Sequence, residues 1–94
     1  MNYDKLNAYK LTTRYLVLID CGKRGIGSAD IHASFDDACD VYDCKMDCDI
    51  AATIHAIDFA AGTTQDVTAE ANALIAKRCN DRAVDLPTWL EDLL

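Results

Sequence analysis

The sequence predicts a small α+β domain. Three observations carry that prediction: a chain of 94 residues with 51% apolar content, three runs with strand-type patterning, and two runs whose apolar residues recur at helical spacing. In chain order these give ββαβα followed by a short C-terminal helical turn. The expected architecture is a mainly antiparallel three-stranded sheet with two helices packed on one face. The length suits one compact domain over residues 1–94 and leaves no room for a second.

Residues 1–10, which mix Tyr3, Leu6 and Tyr9 with Asp4, Lys5 and Lys10, show no clear period and read as a lead-in or a helical turn. From Leu11 to Cys21 the chain is β-branched, aromatic and apolar, with Tyr15, Val17 and Ile19 facing one way and Leu16 and Leu18 the other. Apolar residues on both faces predict a central strand. The segment GKRGIGS, with Gly22, Gly25 and Gly27, reads as a hairpin loop, and ADIHA (29–33) as a second, half-exposed strand. Ser34 with Asp37 three residues later forms a capping-box pattern and opens a helix that ends near Cys48 or Asp49. Residues 51–60 read as a third strand and GTTQD as a loop. A second helix follows from Asp66 or Thr68 to about Arg82, with Ala71, Leu74, Ile75 and Cys79 on one face and Lys77, Arg78 and Arg82 in its last turn. Pro87 opens the final turn, where Leu86, Trp89, Leu90 and Leu93 are placed to pack back on the domain.

Charge narrows the functional classes. The formal net charge is −7, which disfavours direct binding of nucleic acid or an anionic membrane. Residues 30–49 contain seven aspartates against one lysine, Lys45, for a local charge of −6, so the rest of the chain is nearly neutral. The N-terminal residues lack the apolar core of a signal peptide and no window of about 18 apolar residues occurs. A cytoplasmic protein with neutral or positive partners is expected.

On the first helix Phe35, Cys39, Tyr42 and Met46 share an apolar face, while Asp36, Asp40, Asp43 and Asp47 form an acidic ladder joined by Asp37 in the first turn. The ladder spans about 16 Å at the 1.5 Å rise of a helix. Aspartate is roughly 0.5–0.7 kcal/mol worse than alanine at such positions, and each like-charge pair three or four residues apart adds about 0.2–0.5 kcal/mol of repulsion. A sequence chosen only for stability would place Glu and Lys here. Two readings follow: a solvated acidic helix, or a row of carboxylates presented to an arginine- or lysine-lined groove, with Asp36, Asp37, Asp40, Asp43 and Asp47 as the partner-binding residues. The segment DDACDVYD lacks the register of a calcium loop.

Five cysteines without a C-x-x-C spacing predict free thiols. On a helix Cys44 and Cys48 are neighbours and Cys39 points elsewhere, so these three cannot share one ion, and no metal or cofactor is expected. The glycines after the first strand fit neither a Walker A loop nor a dinucleotide fingerprint. Neither His32 nor His55 is spaced to single out a nucleophile–base pair, so the chain reads as non-enzymatic.

A single small domain that is acidic on one helix, tolerant of cysteine, without catalytic motifs and ending in an amphipathic turn resembles the accessory and inhibitor proteins encoded by phages and mobile elements. Among these it is similar in character to anti-CRISPR proteins. The resemblance implies a stoichiometric inhibitor in the host bacterial cytoplasm whose Asp36, Asp40, Asp43 and Asp47 occupy the basic residues of a CRISPR effector complex that otherwise hold guide-paired DNA. Two alternatives stand beside it: a metal or redox module built on Cys39, Cys44, Cys48 and a histidine, and a regulator that forms a homodimer through Trp89 and the sheet edge.

Overall fold

The computed structural model describes residues 13–93. It is an α+β fold in two layers, an antiparallel sheet with its helices on one face. The expectations for residues 1–10, and for a first strand beginning at Leu11, lie outside the described residues. Strand β1 (Thr13–Asp20) turns through a short 3₁₀ segment at Gly22–Arg24 into β2 (Ile26–His32). Helix α1 (Phe35–Asp47), β3 (Ala52–Asp58), β4 (Thr63–Asp66), α2 (Thr68–Asp81) and α3 (Thr88–Glu91) follow. The strand order is β2-β1-β3-β4 and every pairing is antiparallel.

Two expectations about the sheet require correction. The described residues form four strands rather than three, because Thr63–Asp66, expected as a loop, pairs with β3. All four β4 residues are exposed, so no apolar alternation marks them. The strand is fixed instead by its turn: Asp58 Oδ1 accepts the N–H groups of Ala60 and Ala61 at 3.0 and 3.1 Å, and Gly62 closes the reversal at φ +67°. Strand β2 also begins at Ile26 rather than Ala29. Gly22 and Gly25, at φ +66° and +90°, tighten the reversal, and Asp20 Oδ1 accepts the Gly22 N–H at 2.8 Å. Pairing therefore runs to Asp20 opposite Ile26, with a bulge that shifts the register between Leu16 and Leu18.

Val17 and Ile54 face each other across β1 and β3 and are fully buried. Ala38, Cys39 and Tyr42 of α1, Ala71 and Ile75 of α2, and Leu90 of α3 complete the core. The apolar faces expected for both long helices thus supply its buried residues. Leu90 closes the core from the C-terminal turn. Tyr42 donates to Asn72 Oδ1 at 2.7 Å, which links α1 to α2, and its ring meets Trp89 edge-on with centroids 5.5 Å apart. On the other sheet face Leu16, Leu18 and Ile57 are half-buried and Ile26 and Ile31 exposed.

Both long helices end in a Schellman motif without glycine. After α1 the Ile50 N–H donates to Lys45 O and the Asp49 N–H to Met46 O, with Asp49 at φ +60°. After α2 the Val84 N–H donates to Cys79 O and the Ala83 N–H to Asn80 O, with Ala83 at φ +54°.

Candidate functional site

The acidic helix starts where its cap dictates. Ser34 Oγ accepts the Asp37 N–H at 3.3 Å, and the first turn holds Asp36 and Asp37, whose charges suit the helix N-terminus. From there the ladder divides into two halves with different surroundings.

The N-terminal half is neutralised from within. Arg78 of α2 reaches across to α1, donating to Asp40 Oδ1 at 2.7 Å and to Asp36 Oδ1 at 2.9 Å. Burial works against the guanidinium, but the hydrogen bonds to the two carboxylates more than offset it and raise its pKa. One arginine thus bridges two carboxylates a helical turn apart and ties the helices together. Sequence reasoning placed Arg78 only in the last turn of its own helix. Its partners lie 38 and 42 residues away, and no local pattern announces such a contact.

The C-terminal half has no such partner among the described residues, where the only other ion pair joins Lys77 to Asp81. Asp43 is half-buried; loss of water raises its pKa, as does the nearby charge of Asp47, while the Trp89 indole opposes the rise. The indole N–H lies close enough for Asp43 to feel it, yet it closes no ordinary hydrogen bond. Asp47 is exposed and, with Asp49 and Asp92, borders a hollow of about 340 Å³ walled by Met46, Thr88 and Trp89. Asp37 stands exposed at the opposite end of the helix.

Of the five aspartates expected to bind a partner, Asp36 and Asp40 are occupied by Arg78. Asp47 joins Asp49 and Asp92 around the hollow, and Asp43 lies beside Asp47 and Trp89. The heptad-like spacing of the ladder pointed to Asp36, Asp40, Asp43 and Asp47. Asp92 escaped notice because only folding brings α3 beside the end of α1.

The cysteines are dispersed. Cys39 is buried, and burial is the main cause that pushes its thiol up to about 11. Cys44, Cys48 and Cys21 are exposed, and Cys79 is half-buried. Cys39 therefore points into the core while Cys44 and Cys48 meet solvent. Among the described residues no three His, Cys, Asp or Glu side chains are gathered to hold a metal ion. His55 Nε2 lies 3.0 Å from Thr53 Oγ1 within β3, and His32 Nε2 is buried without a hydrogen-bond partner. No described helix is long and apolar enough to cross a membrane.

In comparisons with known proteins the chain matches no family model, no curated relative and no solved structure.

Proposed function

We propose that this chain is a non-enzymatic binding protein that inhibits a basic, nucleic-acid-binding protein complex by covering the surface that holds the nucleic acid. The observation that supports the reading most strongly is the split in the acidic ladder. Asp47, Asp49 and Asp92 border one hollow, Asp43 lies next to Asp47, and none of the four has an ion pair among the described residues. Such clustering costs stability through like-charge repulsion, and a lysine- or arginine-bearing surface would relieve it. The target class consistent with the anti-CRISPR resemblance is a CRISPR effector, whose positively charged channel holds the RNA–DNA heteroduplex by its backbone.

The test uses immobilised wild-type chain beside two folded variants, Asp36→Asn/Asp40→Asn and Asp47→Asn/Asp49→Asn/Asp92→Asn. Bacterial lysate cleared of nucleic acid is passed over each, and retained proteins are identified by mass spectrometry. The reading expects a basic nucleic-acid-binding complex held by wild type and by the first variant, released by salt and lost by the second variant. Equal retention by all three would remove the carboxylates from the mechanism.

A further inference from the structure

Strand β1 is apolar on both faces. Val17 is fully buried beneath the helices, whereas its neighbours Leu16 and Leu18 belong to the face that no described helix covers. The register extends that face. Leu16 lies opposite Ile31 and Asp20 opposite Ile26 on β2, and Arg14 lies opposite Ile57 on β3; residues directly opposite one another share a face. Leu16, Leu18, Ile26, Ile31 and Ile57 therefore form one apolar patch, in which Ile26 and Ile31 are 68% and 51% exposed. The free face of an antiparallel sheet is ordinarily polar, and a contiguous apolar patch marks an interaction surface.

Charge narrows what fits it. The charged residues that the pairing places on this face are Arg14, Asp20 and Asp66, so it attracts neither a strongly basic surface nor nucleic acid. The carboxylates of α1 lie in the helix layer on the far side of the sheet. Two copies joined by their free faces would hold those helices outward, separated by more than the ~10 Å between packed sheets. That exceeds the ~8 Å screening length at physiological salt, so the net charge of −7 on each chain does not oppose the contact.

The face is also self-complementary. Arg14 and Ile57 stand at one end of the β1–β3 pair. At the other end a hollow of about 340 Å³ is lined by Leu18, Asp20, Ile26, Ala51 and Thr53, among others. A two-fold axis between two such faces, perpendicular to β1 and level with Val17, reverses the strands and stacks Leu16 on Leu18. It brings Ile57 and Arg14 of each copy to the end where the other carries the hollow and Asp20. Strands of eight, seven, seven and four residues give a flat footprint of roughly 400 Å² per copy at ~3.3 Å per residue and ~4.8 Å between strands. Side chains standing on a pleated sheet expose more than its footprint, so two copies come near the ~1,000 Å² of a specific interface. Contact by an edge is disfavoured, since the register shift places an extra residue on β2 and β4 has only four residues.

We infer that the free sheet face binds a second copy of this chain, sheet on sheet about a two-fold axis, forming a homodimer with both acidic helices outward. The dimer goes beyond the proposed function and leaves the carboxylates of that reading accessible.

Sedimentation equilibrium of the full-length protein from about 2 to 200 µM tests this by mass action, with wild type beside Ile57→Lys, Ile26→Lys and Val84→Lys. Ile26 and Val84 are 68% and 56% exposed, so neither change reaches the core, and circular dichroism verifies each fold. Val84 follows α2 in the helix layer and controls for the added charge. The wild-type mass should rise from the 10.3 kDa of one chain toward twice that value, and the dimer should persist at ~1 M salt. Ile57→Lys and Ile26→Lys should each weaken it by about tenfold or more, whereas Val84→Lys should not. Should Ile57→Lys fail to fold, Ile26→Lys decides. The mass of a single chain throughout, with the face left to solvent or filled by another segment, overturns the dimer. A dimer that both isoleucine variants leave intact, that Val84→Lys weakens equally, or that salt dissociates overturns the sheet face as its interface. The proposed function is read separately, from protein retention by the aspartate variants.

Discussion

Replacing Arg78 by methionine removes the one side chain that neutralises Asp36 and Asp40 while keeping most of its apolar stem in place. The carboxylates are 72% and 67% exposed and the Arg78 side chain 24% exposed, so solvent screening holds each bridge to about 0.2–1 kcal/mol. Without Arg78, Asp36 and Asp40 also repel each other across one helical turn, for a further 0.2–0.5 kcal/mol or so. The expected loss is roughly 1–2 kcal/mol. For a domain of this size each kcal/mol moves Tm by about 4–8 °C, so Arg78→Met should melt about 5–15 °C below wild type. The gap should narrow at ~1 M salt, where the screening length falls to about 3 Å. Thermal and urea unfolding followed by circular dichroism measure it. A double-mutant cycle with Asp36→Asn/Asp40→Asn separates the bridge from lost packing. A stability within about 0.3 kcal/mol of wild type at low salt, with no coupling in the cycle, would refute the claim that this half of the ladder is structural.

Leu90→Ala should cost about 2–5 kcal/mol by urea unfolding, because Leu90 is fully buried and joins α3 to the core; an effect below about 1 kcal/mol would detach α3 from the domain. Ala83→Gly should stabilise by roughly 0.5–1 kcal/mol, since Ala83 holds φ +54° in a position glycine adopts without strain. The carboxyl of Asp43 titrates higher in the folded protein than its ordinary value, so the folded state binds this proton first and the charged group costs stability at neutral pH. Asp43→Asn should therefore be the more stable protein at pH 7, by about 0.2–0.5 kcal/mol for each like charge relieved. The two unfolding midpoints should converge below about pH 4. With a thiol reagent on native protein, Cys21, Cys44 and Cys48 should react quickly and Cys39 only upon unfolding, as their exposure and the raised Cys39 thiol require.

The legible parts of the fold were those written in local periodicity. The alternation through Tyr15, Val17 and Ile19, the strand-type run at 51–60 and the helical spacing of Cys39, Tyr42, Ala71 and Ile75 placed the two central strands, both long helices and most of the buried core. The Ser34 cap fixed the start of α1. Strand β4 was hidden because Thr63–Asp66 is exposed throughout and held by its turn and backbone pairing rather than by apolar contacts. The glycines near the β1–β2 turn suggested a longer loop than Gly22 and Gly25 produce. In the candidate site the ladder itself was visible, but its division was not. Arg78 and Asp92 reach α1 only through tertiary packing, and neither has a pattern in its own segment that points there.

The carboxylates at the end of α1 are proposed to compete with nucleic acid for a protein surface. The direct measurement is DNA binding by the retained basic complex, followed by gel shift as the wild-type chain, Asp36→Asn/Asp40→Asn or Asp47→Asn/Asp49→Asn/Asp92→Asn is added. Wild type and the first variant should displace DNA near one equivalent, and the second variant should not. Displacement by all three alike, or a ternary assembly in which the complex keeps its DNA with the wild-type chain bound, would contradict that competition.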